Sequence, residues 1–287
     1  MNTINTEIRG VQVELDVPSE IGDIVSQHTS ASEKIKSKTI LLKIGMWIFV
    51  LYIATVLVLN NAPAAGTCIV LGASLIAFLN YYLKKETVGA VGRHGFVVYR
   101  LYRRTQRVFS SRQYLFKDAE ALVFPLTAQY VNHIYGGTSY KFQLSGQRHV
   151  LYSTSGKYHN LHNEEGKFGW KYMFLQAIED EWTVCLVNSL LEKLQTGECV
   201  TFKSGDALLD VVQPIELGLK YIKYNGMIFG RDDIKSTYFA DGKFMIEHHN
   251  YEGGMFSSKG DRMTVRVNNM PNKKAFLVLF NYFTGAF

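Results

Sequence analysis

The sequence predicts an α+β chain with a membrane anchor: a two-helix transmembrane hairpin followed by two antiparallel sheets, each closed by a C-terminal helix. Three observations carry this expectation. No Asp, Glu, Lys or Arg occurs from Ile44 to Leu83, although charges are frequent elsewhere. Beyond Glu86, short runs alternate between apolar and polar residues and are separated by glycine-containing turns, the pattern of half-buried strands. From Phe168 to Leu194 apolar residues recur at helical spacing, and a shorter version of the same order follows Val200.

A crossing of the hydrocarbon takes roughly 20 mainly apolar residues. The charge-free run is about twice that length, and it divides at Asn60, Asn61, Ala62 and Pro63 into spans Ile40–Leu59 and Ala64–Leu83. Trp47, Tyr52, Tyr81 and Tyr82 supply aromatic residues, the last two where an interfacial belt belongs. Lys34, Lys36, Lys38 and Lys43 precede the run, Lys84 and Lys85 follow it, and the short loop has no cation. The positive-inside rule then places both termini in the cytoplasm of a multi-pass protein of the cytoplasmic membrane. With no ionisable side chain in the middle of either helix, the pair reads as an anchor and not as an ion path. The polar start, Met1 to Ser32, does not have the form of a cleaved signal peptide.

Four segments follow from this division. Residues 1–39 hold one strand, where Val11, Val13, Leu15 and Val17 alternate with polar residues up to Pro18, and a basic linker. Residues 40–84 are the hairpin, 85–199 a first cytoplasmic domain and 200–287 a second. In the first domain, Phe96–Tyr102 and Arg107–Ser111 read as a β-hairpin, Gly136 and Gly137 as a turn, and Tyr140, Phe142 and Leu144 as the inner face of a strand. In its helix, Leu175, Ile178, Trp182, Leu186 and Leu190 form the apolar stripe and Gly197 the stop. In the second, Asn225-Gly226 and Asp241-Gly242 are hairpin turns, and Asn272 is placed to cap a last helix along Ala275–Phe283. Leu115-Phe116-Lys117-Asp118-Ala119 and Ile228-Phe229-Gly230-Arg231-Asp232-Asp233 occupy comparable places in the two halves.

With the segment His94-Gly95-Phe96-Val97-Val98-Tyr99, this order resembles uncharacterised bacterial membrane proteins that carry pleckstrin-homology-like domains behind a transmembrane pair. The resemblance implies two bent antiparallel sheets with C-terminal helices, a scaffold that binds lipids, peptides or proteins more often than it catalyses. No residue-level functional motif comes with it.

Searches for chemistry in the residues point the same way. His159 and His162, in His-Asn-Leu-His-Asn-Glu-Glu, have metal-ligand spacing if they lie on a helix, but the surrounding glycine, asparagine and serine read as a loop. His248 and His249 are adjacent in a strand-like run and point to opposite faces. Cys68, Cys185 and Cys199 are widely spaced and odd in number, as expected of reduced thiols; Cys185 reads as a small buried residue of the helix. Glu179, Asp180 and Glu181 are consecutive and spread around a helix surface, so they read as its solvated face. There is no GxxxxGK[ST] and no strand-linked GxGxxG, hence no signal for nucleotide phosphate. No cofactor is implied.

The expected function is therefore a membrane-anchored, non-enzymatic binding or scaffold protein. Its alternatives are a membrane-bound, metal-dependent enzyme using His159 and His162, or an obligate subunit of a larger membrane complex. The expected partners are the lipid bilayer, anionic lipid head groups, and an unidentified protein or a second copy of the chain, with no nucleic acid. The candidate binding residues are Arg100, Arg103, Arg104, Arg107 and Arg112, in and around the first hairpin. Each cation near an anionic membrane contributes on the order of 1 kcal/mol, and guanidinium forks suit lipid phosphates.

Overall fold

A computed structural model describes residues 2–8, 11–30, 47–50, 52–56, 63–82, 84–159, 169–206, 211–253 and 258–285. The chain divides into two compact units. The first comprises Met1–Pro18, Gln27–Ala90 and Val97–Gln113; the second comprises Ser19–Ser26, Val91–Phe96 and Tyr114–Phe287.

Among the described residues the expected transmembrane hairpin is not found. Among the described residues, no helix is long and apolar enough to cross a membrane. That finding overturns the anchored α+β fold class, the two membrane spans and the multi-pass placement in the cytoplasmic membrane. Most of the described regular structure is instead antiparallel sheet. The first expected span is described only as helical pieces at 47–50 and 52–56, and the turn at 60–62 lies outside the described residues. The second contains one helix, α1 (Pro63–Tyr82), with Leu71, Leu75 and Phe78 exposed. Freedom from charge, on which that expectation leans most, is a weaker condition than sustained apolarity: Gly66, Thr67, Gly72, Ser74 and Asn80 interrupt the α1 segment.

In the first unit, β1 (Asn2–Ile8) pairs with β2 (Val11–Val17), placing Ile4 opposite Leu15. Ile4, Leu15 and Val17 are buried, as the alternation in β2 requires. The Tyr99 hydroxyl donates to the Asp16 carbonyl at 2.6 Å and ties the hairpin down. Burial, with the Asp16 carboxylate adding to it, pushes that phenol up to about 12. Four strands not confined to that unit, β3 (Ile24–Thr29), β4 (Lys85–Gly92), β5 (Gly95–Tyr102) and β6 (Val108–Leu115), form a sheet in that order.

In the second unit, a single-turn 3-10 helix (Phe116–Asp118) leads into β7 (Ala121–Val123), β8 (Leu126–Val131), β9 (Ile134–Ser145) and β10 (Val150–Tyr158). β10 lies on one side of β9, while β7 and β8 both pair with β9. The turn before β9 is Asn132-His133, both at positive φ, and not Gly136-Gly137, which lie inside the strand. Helix α2 (Trp170–Gln195) follows, and Gly197 at φ +86° ends it.

A second set repeats this order. Strands β11 (Val200–Asp206), β12 (Val211–Leu217), β13 (Tyr221–Tyr224) and β14 (Met227–Gly230) form a four-stranded meander. Asn225-Gly226, both at positive φ, make the β13–β14 turn. A 3-10 turn at Arg231–Asp233 leads to β15 (Ile234–Ala240) and β16 (Lys243–His248), joined by Asp241-Gly242. After the short ribbon of β17 (Glu252–Gly253) and β18 (Ser258–Lys259), β19 (Arg262–Arg266) completes a three-stranded sheet, and α3 (Lys273–Thr284) closes the set.

The two sets share α2. Its first half lays Tyr172, Phe174, Leu175, Ile178 and Trp182 into an aromatic core, where Phe174 meets Phe96 edge-on at 5.9 Å and Trp182 meets Phe116 at the same separation. Its last turns place Val187 and Leu194 in a different core, with Phe202, Ile215, Phe244, Ile246, Phe276 and Phe280. Complete burial of such side chains contributes about 1.5–3 kcal/mol each.

Asn272 joins the sets a second time. It sits at φ +56°, ψ +31°, and its side chain does not cap α3. Its Oδ1 accepts from the Leu122 N–H at 2.9 Å and the Trp182 Nε1–H at 3.0 Å, while Nδ2 donates to the Glu120 carbonyl at 3.0 Å. Its backbone N–H donates to the Leu122 carbonyl at 2.7 Å, so one residue satisfies the open edge of β7. Lys274 and Asp180 add an ion pair between α3 and α2. Asn272→Gly keeps the left-handed backbone and removes only the side-chain bonds, so urea unfolding should show a loss of about 1–3 kcal/mol. Asn272→Ala should lose about 1 kcal/mol more through strain at positive φ; equal midpoints for wild type and both variants would show that the amide does not join the sets.

Candidate functional site

Charge is concentrated in one stretch. Between Lys84 and Gln113 there are eight cations, Lys84, Lys85, Arg93, Arg100, Arg103, Arg104, Arg107 and Arg112, against one acid, Glu86. That net +7 compares with +6 for the whole chain, so the remaining residues are close to neutral in sum. Glu86 is buried and pairs with Arg103 Nε at 3.5 Å, with side-chain exposures of 5% and 18%. The only acid of the stretch is therefore withdrawn from the surface.

The β5–β6 hairpin holds the arginines. Its loop is closed by Tyr102 N–H to the Arg107 carbonyl at 3.1 Å and Gln106 N–H to the Tyr102 carbonyl at 2.7 Å, with Gln106 at φ +54°. Tyr102 and Phe109 pack ring to ring at 4.7 Å, and the Lys85 ammonium lies 4.9 Å from the Phe109 ring centre. On this scaffold Arg100, Arg104, Arg107 and Arg112 are exposed. Arg103 is not one of them: its ion pair makes it a structural residue.

Other sequence candidates are placed differently. His159 is exposed at the end of β10, while His162 lies outside the described residues. Among the described residues, no group of three or more His, Cys, Asp or Glu side chains could hold a metal ion. Of the acids expected on a solvated face, Glu179 is half-buried, and burial raises its carboxyl above the usual range against the opposing pull of Lys274 and Lys273. Cys185, expected to be buried, is exposed, although partial burial still pushes its thiol up.

Two cavities among the described residues have no motif in the sequence that marks them. One, of about 380 Å³, is lined by Glu20, His94, Leu115, Phe116, Lys117 and Cys185. The other, of about 340 Å³, is lined by Leu194, Gly218, Leu219, Arg231, Tyr282 and Phe283. The only sequence trace of them is the pair of comparable segments, Leu115–Ala119 and Ile228–Asp233, which supply Lys117 and Arg231.

No family model matches the chain, and no match to it was found among curated proteins or solved structures. The division of labour among the arginines is testable by thermal or urea unfolding. Arg103→Ala leaves Glu86 buried without this cation and should cost about 2 kcal/mol or more, while Arg112→Ala should change stability by less than about 0.5 kcal/mol. Equal small effects would mean that Arg103 is no more structural than the exposed arginines.

Proposed function

We propose that the protein is a non-enzymatic binding or scaffold module whose β5–β6 hairpin docks on an anionic lipid surface. The observation that supports this reading is the segregation of charge: a net +7 within 84–113, its single acid buried and paired, and four arginines exposed on one hairpin. Separate exposed cations on a sheet make a surface that tracks many phosphates weakly, unlike a pocket that grips one. The resemblance in the order of elements to proteins with pleckstrin-homology-like domains supports a binding role by analogy, since such domains bind lipids, peptides or proteins more often than they catalyse. Nothing in this reading requires a membrane-spanning segment.

The test uses the full chain with vesicles of neutral lipid alone or with added anionic lipid. Each exposed arginine near the surface contributes on the order of 1 kcal/mol, so Arg100→Ala, Arg107→Ala and Arg112→Ala together should weaken binding to anionic vesicles about 100-fold. Binding should also fall steeply as salt rises. Equal binding to neutral vesicles, or unchanged binding by the triple variant, would contradict the proposal.

A further inference from the structure

The two cavities are built from the same four parts. Each is entered from the chain just ahead of a four-stranded sheet, at Glu20 before β3 and at Leu194 before β11. Each takes the turn between the second and third strands of that sheet, His94 in one case and Gly218-Leu219 in the other. Each takes the 3-10 turn after the fourth strand, which contributes Lys117 in one and Arg231 in the other. Each is walled by the closing helix of its set, through Cys185 of α2 or Tyr282 and Phe283 of α3. The turns themselves close alike, with the following N–H bonded back to the first carbonyl, Ala119 to Phe116 and Ile234 to Arg231.

We propose that these are two equivalent ligand sites for a small amphipathic anion, an apolar or aromatic body bearing one carboxylate or sulfonate. The volumes, about 380 and 340 Å³, lie at the lower end of the range of small-molecule pockets. Apolar wall and a single cation recur together: Leu115 and Phe116 with Lys117, then Leu194, Leu219 and Tyr282 with Arg231. A gap left by imperfect packing would not carry a cation from the same turn in both sets. The sites differ in strength. Glu20 lines the first together with Lys117, whereas no acid is among the described lining residues of the second, and the Arg231 fork can hold a carboxylate by two bonds. Arg231 is held against the last turn of α3, since a Cβ on Gly285, itself at φ +71°, would collide with its guanidinium. The second site is accordingly the tighter one.

The experiment titrates the full chain with 1-anilinonaphthalene-8-sulfonate, by fluorescence and by equilibrium dialysis, beside its uncharged analogue N-phenyl-1-naphthylamine. Two molecules of the sulfonate should bind per chain in two affinity classes, with the uncharged analogue at least 10-fold weaker. Arg231→Ala should remove the tighter class and Lys117→Ala the weaker, and Arg231→Lys should restore part of the former. Both residues are exposed, so unchanged far-ultraviolet circular dichroism is expected. In the Cys68→Ser/Cys199→Ser background, bound sulfonate should slow alkylation of Cys185. The triple arginine variant of the β5–β6 hairpin should bind as the wild type does, which separates this proposal from lipid docking. One class only, two molecules still bound by Lys117→Ala/Arg231→Ala, equal binding of the uncharged analogue, or loss of binding in the hairpin variant would each overturn it.

Discussion

Helix α2 has to satisfy two cores at once, and the second unit is organised around that constraint. At 26 residues it is about 39 Å long, enough to close one sheet with its first half and enter the core of the next with its last turns. Tyr172, Phe174, Ile178 and Trp182 answer to β9, β10 and the 3-10 turn at Phe116; Val187 and Leu194 answer to β11–β19 and α3. A helix used this way leaves little freedom between the two sets. The chain leaves α2 at Gly197 and begins β11 at Val200, with no room for a flexible linker.

The contacts around Asn272 follow from the same arrangement. With α2 placed, the start of α3 comes to the open edge of β7, where two backbone groups of Leu122 and the indole N–H of Trp182 need partners. A left-handed asparagine can supply all of them, because its amide carries both donor and acceptor and its backbone tolerates positive φ. The Lys274–Asp180 pair then crosses α3 to α2 in the same region.

Much of the local structure was legible in the residues. Asn225-Gly226 and Asp241-Gly242 turn where their positive-φ tolerance says they should, and apolar spacing from Phe168 to Leu194 marks α2 to within a residue or two. What periodicity cannot show is which surface an apolar stripe meets, so the sharing of α2 was invisible. The position of Asn272 just before α3 predicts a cap, yet stronger demand at the β7 edge claims its amide. The charge-free run is a weak guide on its own: absence of Asp, Glu, Lys and Arg says nothing of the glycines, serine and asparagine inside it. The arginines of the β5–β6 hairpin were legible as a basic cluster, but Arg103 looked like the rest until Glu86 was placed beside it. The cavities arise from segments far apart in sequence, and only their two turns left a trace.

Native-state hydrogen exchange tests the shared helix most directly. If α2 belongs to both cores, the slowest amides of β9 and α2 in the first set and of β16 and α3 in the second should open with one common free energy, and should fall together when Trp182 is replaced by Phe. Exchange of β16 and α3 through a separate, less costly opening that leaves α2 fully protected, and that is indifferent to the Trp182 substitution, would contradict the account.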